Sequence, residues 1–377
     1  MRIGFDGKRA VQNFTGLGNY SRYVADILCH FYPENDYVLY APKKRENKRM
    51  NLLTGQYRQL TLAYPATFFW KKLSSLWRVW GITSQLEKEG IELFHGLSNE
   101  LPLNIHKSRI KSIVTIHDLI FLRYPQYYQS IDRKIYTYKF RKACENADKI
   151  IAISECTKRD IIRYFNIPDD KIEVVYQGCD VSFTHPVTEE KKEEVRKKYQ
   201  LPDHYILNVG SIEERKNILA AVQALPMLPQ HIHIVIVGRR TCYTEKVEQF
   251  IKDNGLGERV HIISNVPFND LPAFYQSAEI FVYPSRFEGF GIPIIEALYS
   301  GIPVVAATGS CLEEAGGPDS IYVNPDDITG LADAFKQIYS NSDKRKNMVE
   351  KGREFAKRFS EKQQSEEIIN IYKKLIR

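Results

Sequence analysis

A chain of 377 residues exceeds the roughly 250–300 at which a single hydrophobic core stops growing, so its length predicts two domains. With 43% hydrophobic and 26% charged residues it is neither disordered, collagen-like nor disulfide-dense, and its six cysteines, without a C-x-x-C pair or metal-ligand spacing to histidine, read as reduced core thiols. A formal charge of +7 favours an anionic partner without choosing among nucleic acid, anionic lipid and a phosphorylated small molecule.

The opening MRIGFDGKRA lacks the apolar stretch of a secretory signal, and no eighteen apolar residues run together, so a cytoplasmic protein is expected. Arg2 to Phe5 reads as a strand, Gly16 to Gly18 as a glycine turn, and Asn19 to Phe31 as a helix with apolar residues at Tyr20, Tyr23, Val24, Ile27, Leu28 and Phe31. The basic run at 43–49 reads as a solvated loop. Residues 68–80 hold all three tryptophans among lysines and an arginine, which predicts an amphipathic helix. That helix either rests on an anionic membrane surface or packs its aromatics inward. Further strands are expected at 37–40, 93–95, 113–116, 150–153 and 172–175, with helical stretches between several of them.

The pattern breaks near Asp180–Glu190, a charged helix follows over Lys191–Tyr199, and strand and helix then alternate afresh. Strands are expected at 205–209, 233–237, 260–263, 280–283 and 303–306. Two halves of the same grammar predict an α/β protein of two doubly wound, Rossmann-like domains, over 1–180 and 191–358. The apolar positions Ile368, Ile369, Ile371, Tyr372, Leu375 and Ile376 form a final helix.

Chemistry concentrates after the 280–283 strand. Gly289 and Gly291 permit close backbone approach, and Pro293 suits the first turn of a helix that begins near Gly291. The free N–H groups at such a helix start favour a phosphate. Glu288 precedes this helix and Glu296 lies in its first turns, so one carboxylate is placed for a reacting sugar and the other for a ribose hydroxyl pair. On spacing alone, a glycine turn with a capping and a solvated glutamate fits as well.

After the 205–209 strand, Gly210 begins a segment in which Arg215 offers a planar fork and Lys216 a mobile point charge to a diphosphate. His117 and Asp118 stand where the 113–116 strand ends, the usual ligand edge of an open α/β sheet. Gly16 and Gly18 do not complete a G-x-G-x-x-G fingerprint, because Ser21 stands at its last position, which argues against a dehydrogenase.

The frame P-S-x-x-E-G-F-G-x-P-x-x-E-A, matched from Pro284 to Ala297, resembles the E-x7-E signature of family 4 of the retaining glycosyltransferases. The resemblance extends to the N-terminal glycine loop, the His117-Asp118 pair and the Arg-Lys-Asn segment. It implies a GT-B architecture, two Rossmann-like domains facing a central cleft: acceptor binding in the first, nucleotide-sugar binding in the second, and segment 359–377 returning to the first. It also implies a retaining transfer from a nucleotide diphosphate sugar to a glycan or lipid-linked acceptor. A hexose such as mannose, from GDP-mannose, is the leading expectation, and with cations, a helix end and no D-x-D triplet no metal is expected. No cofactor and no nucleic acid enter.

The implied catalytic residues are His117, Arg215, Lys216 and Glu288. Many members carry the arginine just after the first glycine, where Ser211 and Ile212 stand here, so Lys216 matches the pattern better than Arg215. Donor contacts are expected from Gly16, Gly18, Gly210, Asn265, Val266, Phe290, Gly291 and Glu296, and acceptor-side contacts from Asn19, Asp118 and Ser154. The expected place of work is the cytoplasm, with a peripheral contact to the inner membrane face through 68–80. Two other readings stay open at this point: a related epimerase or phosphorylase, and a polyanion or polysaccharide binder without turnover.

Overall fold

The computed structural model describes residues 1–376, and the chain divides into two compact units. The first comprises Met1–Tyr176 with the segment from Glu361 onward, and the second comprises Gln177–Ser360.

Seven strands form the sheet of the first unit: Arg2–Asp6 (β1), Asp36–Tyr40 (β2), Leu60–Ala63 (β3), Leu93–Gly96 (β4), Lys111–Ile116 (β5), Lys149–Ala152 (β6) and Ile172–Val174 (β7). Every pairing is parallel and the order is β3-β2-β1-β4-β5-β6-β7. Parallel strands covered on both faces are apolar almost throughout, as in the fully buried Leu93–Gly96. The second sheet runs Tyr205–Val209 (β8), His233–Val237 (β9), Val260–Ile263 (β10), Ile280–Tyr283 (β11), Val304–Ala307 (β12) and Ile321–Val323 (β13), in the order β10-β9-β8-β11-β12-β13. Its pairings are also parallel. In each unit the order reverses once, between β1 and β4 and between β8 and β11. At such a reversal neighbouring loops leave the carboxyl ends of adjacent strands in opposite directions and open a crevice for a ligand.

Three local expectations change. Gly16 and Gly18 are not a turn but the first residues of a helix, Gly16–Phe31, entered from Thr15. The Asn13 side-chain oxygen accepts from the Thr15 and Gly18 N–H groups, supplying the partners that a helix start lacks. A Cβ at position 18 would stand 2.0 Å from the Asn13 carbonyl oxygen, so only glycine fits. The 68–80 segment is also not one amphipathic helix: it breaks into Phe68–Lys72, Ser74–Leu76 and a π-helical turn over Trp77–Gly81. Its tryptophans consequently part company. Trp77 is fully buried with its indole N–H on the Gln85 side-chain oxygen, Trp70 packs over Gly81, and Trp80 is half exposed. Finally, two short strands at sheet edges, β3 and β13, add to those expected.

The helix Glu361–Ile376 belongs to the first unit: Ile368, Ile369, Ile371 and Tyr372 enter its core beside Val24, Leu28 and Leu93. Tyr372 adds a buried polar anchor. Its hydroxyl lies 2.6 Å from His95 Nδ1, His95 Nε2 lies 2.8 Å from the Thr115 hydroxyl, and Thr115 meets the Tyr20 hydroxyl at 3.2 Å. Burial first, and His117 second, push His95 down to about 3, so the chain of contacts works with a neutral imidazole. Removing residues 361–377 should therefore abolish the melting transition of the first unit and leave that of the second in place. Ile369→Ala should cost the first unit about 2–5 kcal/mol. Calorimetry checks both, and an unchanged first transition in the truncated chain would contradict this assignment.

Candidate active site

The reversal between β8 and β11 brings together residues 67 and 72 positions apart in sequence. After β8 the chain passes Gly210 and enters a short 3-10 turn, Glu214–Lys216. Gly210 has φ +153°, which disfavours a side chain, and the space left by its missing Cβ is bordered by the Lys216 side chain. After β11 the chain carries Ser285 and Glu288 toward the helix Ile292–Ser300.

Glu288 joins the two loops. Its Oε2 lies 2.8 Å from Arg215 Nη1, and its Oε1 accepts from Lys216 Nζ at 3.1 Å, Ser285 Oγ at 2.9 Å and Tyr283 Oη at 3.2 Å. Lys216 also donates to the Tyr283 hydroxyl at 2.8 Å, and Arg215 to the Phe287 carbonyl. Arg215, Lys216 and Glu288 are all largely buried. Burial works against charge on each of them, but mutual attraction outweighs it. Glu288 falls to about 2 under the pull of Lys216 and Arg215, and both cations are held above their ordinary range by Glu288. The cluster therefore stays ionised, two cations sharing Glu288, with Glu213 a second carboxylate 3.6 Å from Arg215 and 3.9 Å from Arg239.

Glu296, five residues into the helix Ile292–Ser300, accepts from the Tyr275 hydroxyl at 2.6 Å. Burial raises its carboxyl to about 7 against the Tyr275 hydrogen bond, and Asp180 pushes the same way as burial. Gly291 caps this helix with extended φ 176°, and the Cys311 thiol donates to the carbonyls of Glu288 and Phe290, tying down the loop before it. The Phe290 ring faces inward, against Phe359. Asn265, at φ 59°, and Val266 follow β10 on the same sheet.

In the first unit, the residues singled out all follow β1, β5 or β6. His117 is buried, its backbone N–H on the Asn99 side chain and its Nε2 2.9 Å from the Leu97 carbonyl. A carbonyl only accepts, so Nε2 carries the proton and Nδ1 is the ring's acceptor. Burial pushes His117 down to about 4, against the Leu97 hydrogen bond, so the ring is neutral at physiological pH. Tyr20 stands edge-on to it, ring centres 4.6 Å apart. Asp118 accepts from the Ile120 N–H, Ser154 caps the helix Glu155–Phe165, and the Asn19 side chain accepts from Arg22 and Arg49. Tyr283, Ser285, Tyr275, Cys311 and Asn99 were not singled out by sequence: their part lies in hydrogen bonds that no spacing announces. Among the described residues, no group of three or more metal-ligating side chains is gathered.

Glu288 should contribute stability that is complete above the ordinary carboxylate range and is lost as pH falls from about 4.5 to about 2. In Glu288→Gln, which leaves buried Lys216 without its counterion and Arg215 with only its longer contact to Glu213, the second unit should lose about 3–5 kcal/mol at neutral pH. The variant should also show a shallower acid decline. Equal thermal stability and acid profile in variant and parent would contradict the ionised cluster.

Comparison with known proteins places the chain in context. Residues 190–355 match the model of glycosyl transferases group 1, and residues 21–183 that of glycosyltransferase family 4. The O-antigen chain mannosyltransferase B of Escherichia coli is 30% identical over 289 residues, covering 75% of this chain and 74% of that protein. The O-antigen chain mannosyltransferase RfbU of Salmonella typhimurium is 29% identical, covering 60% of each. Among solved structures, a glycosyltransferase from Rickettsia africae superposes over 100% of this chain and 98% of its own with a TM-score of 0.79 and 20% identity. The Anabaena HepE structure in complex with UDP and glucose covers 100% of both chains with a TM-score of 0.77 and 18% identity.

Proposed function

Because this chain belongs to glycosyltransferase family 4, with two parallel-sheet α/β units of GT-B type, we propose that it transfers mannose from GDP-mannose to a growing glycan or lipid-linked acceptor, retaining the anomeric configuration. Hexosyl transfer in polysaccharide biosynthesis follows from its relatives, and mannose is what the names of two O-antigen relatives state. The observation that carries the mechanism is the Arg215–Lys216–Glu288 cluster at the β8/β11 reversal. Arg215, Lys216 and Arg239 stand against the two carboxylates of Glu213 and Glu288, an excess of positive charge that attracts an anion, and a diphosphate gains negative charge as it leaves. The N-terminus of the helix Ile292–Ser300 adds backbone N–H groups for the same oxygens.

Roles divide accordingly. Lys216 and Arg215 take the diphosphate without a metal. Glu288, whose oxygens already serve four donors, aims those cations. Glu296 accepts the ribose hydroxyls, Gly210 and Gly291 let the donor approach the backbone, and the chain at Asn265 and Val266 meets the base. In the first unit His117 Nδ1 accepts from a sugar hydroxyl, while Gly16, Gly18, Asn19, Asp118 and Ser154 shape the loops around it. The leaving phosphate takes the acceptor's proton on the face it departs from. We place the enzyme at the cytoplasmic membrane face, touching lipid through 68–80. No helix among the described residues is long and apolar enough to cross a membrane.

Incubation with GDP-mannose, UDP-glucose and other nucleotide sugars, followed by assay of released nucleoside diphosphate, tests the reading: GDP-mannose should be turned over fastest. Lys216→Ala removes a charge-assisted contact worth roughly 1.5–3 kcal/mol, about a ten- to hundredfold loss, and it should fall mainly on kcat. Glu296→Ala should instead raise the donor KM. Kinetics of both variants matching the parent would contradict the assignment. The proton on Glu296 must also leave before both its oxygens can accept. Nucleoside diphosphate affinity should therefore rise between about pH 6 and 8 in the parent and not in Glu296→Gln, a difference that calorimetric titration at each pH reads directly.

A further inference from the structure

Large apolar side chains on a soluble surface are usually scattered singly, and a concentration of them marks an interaction site. Thirteen are exposed among the described residues, and nine of these fall in just two segments of the first unit, 68–80 and 131–138. The first is the aromatic stretch discussed above, with Phe68 74% and Trp80 49% exposed. The second lies on the helix Ser130–Asn146, where Ile131, Ile135 and Tyr138 recur at the spacing of one helical face and are 69%, 45% and 56% exposed.

The two segments share one mount, the stretch from Glu100 to Asn104. Glu100 Oε2 bonds Arg78 at 2.6 Å from the first segment and Lys139 at 3.4 Å from the helix. Leu103 repeats the link through its backbone: its N–H donates to the Val79 carbonyl, and its own carbonyl accepts from the Asn146 side chain. Arg78 is further fixed by its ion pair with Asp6. The apolar residues of 131–138 thus stand on an element fastened to the same base as those of 68–80.

Charge identifies the occupant. The helix Ser130–Asn146 carries Arg133, Lys134, Lys139, Arg141 and Lys142 against only Asp132 and Glu145, and Lys71 and Lys72 accompany Phe68 and Phe69. A second copy of the chain would set these like charges against each other. An anionic bilayer offers negative headgroups to the cations and acyl chains to Ile131, Ile135 and the aromatics. We propose that the helix Ser130–Asn146 is a second lipid-docking element, which together with 68–80 seats the first unit on an anionic membrane. The inference rests on the membrane contact assigned above to 68–80 and adds an element to it.

Co-sedimentation with vesicles of phosphatidylcholine alone and of phosphatidylcholine with phosphatidylglycerol tests it, using the full chain. The parent should bind the anionic vesicles and not the neutral ones. Ile131→Ser with Ile135→Ser, and separately Lys134→Glu with Arg141→Glu, should each weaken that binding at least about tenfold, while nucleoside diphosphate release in lipid-free solution and the melting profile stay at the parent's level. Phe69→Ser with Trp80→Ser probes the first element by itself. If that pair abolishes binding while both sets on the helix bind like the parent, the second element is refuted and the contact through 68–80 stands. If the parent binds neither kind of vesicle, or binds both equally, the proposal falls. Concentration-dependent dimerisation that the Ile131 and Ile135 substitutions abolish, without vesicle binding by the parent, would assign the face to a second copy and overturn it as well.

Discussion

A carboxylate buried between two cations organises the second unit. Taking Arg215 and Lys216 out of water is costly unless a counterion and hydrogen-bond acceptors meet them, and Glu288 supplies that need from a loop on the adjoining strand. The pairing dictates much around it. Tyr283 and Ser285 turn inward to complete the coordination of Glu288, the φ of +153° at Gly210 disfavours a side chain beside Lys216, and the Cys311 thiol pins the carbonyls of Glu288 and Phe290. Each of these positions follows from keeping three charged groups ionised beneath the surface. The reversal of strand order between β8 and β11 is what makes the meeting geometrically available.

The first unit is organised by neutral groups instead. His95 within β4 and His117 just after the neighbouring β5, both buried and both driven to the uncharged form, are joined through Thr115 and Tyr20. Tyr372 closes this series from the last helix of the chain, so the segment after Glu361 anchors the neighbourhood of His117 as well as filling the core. The Leu97 carbonyl holds the His117 ring in one tautomer, with the proton on Nε2.

Much of this was legible in the sequence. Strands buried on both faces announced themselves as short apolar runs, and 205–209, 233–237, 260–263 and 280–283 match the observed bounds. The P-S-x-x-E-G-F-G frame located the loop and the helix start after β11, because glycine and proline positions reflect backbone demands that spacing reveals. What stayed hidden were partnerships. Nothing in the spacing of Glu288 says that its oxygens are taken by Arg215, Lys216, Ser285 and Tyr283, so it read as a group facing substrate. The 68–80 stretch left open whether its aromatics face out or pack inward, and a π-helical turn does both: Trp77 is buried and Trp80 stays half exposed. β3 and β13, the largely apolar LTLA and IYV at two sheet edges, were also not singled out.

In the proposed function Glu288 acts through the cations and not on the sugar. A double-mutant cycle in nucleoside diphosphate affinity, comparing Lys216→Ala, Glu288→Gln and the double variant with the parent by calorimetric titration, measures that directly. If Glu288 works by aiming Lys216, much of its effect vanishes once Lys216 is gone. The double variant should then lose clearly less than the sum of the two single losses, with a coupling of at least about 1 kcal/mol. Losses that add within roughly 0.3–0.5 kcal/mol would show the two residues acting independently on the ligand and would contradict the account.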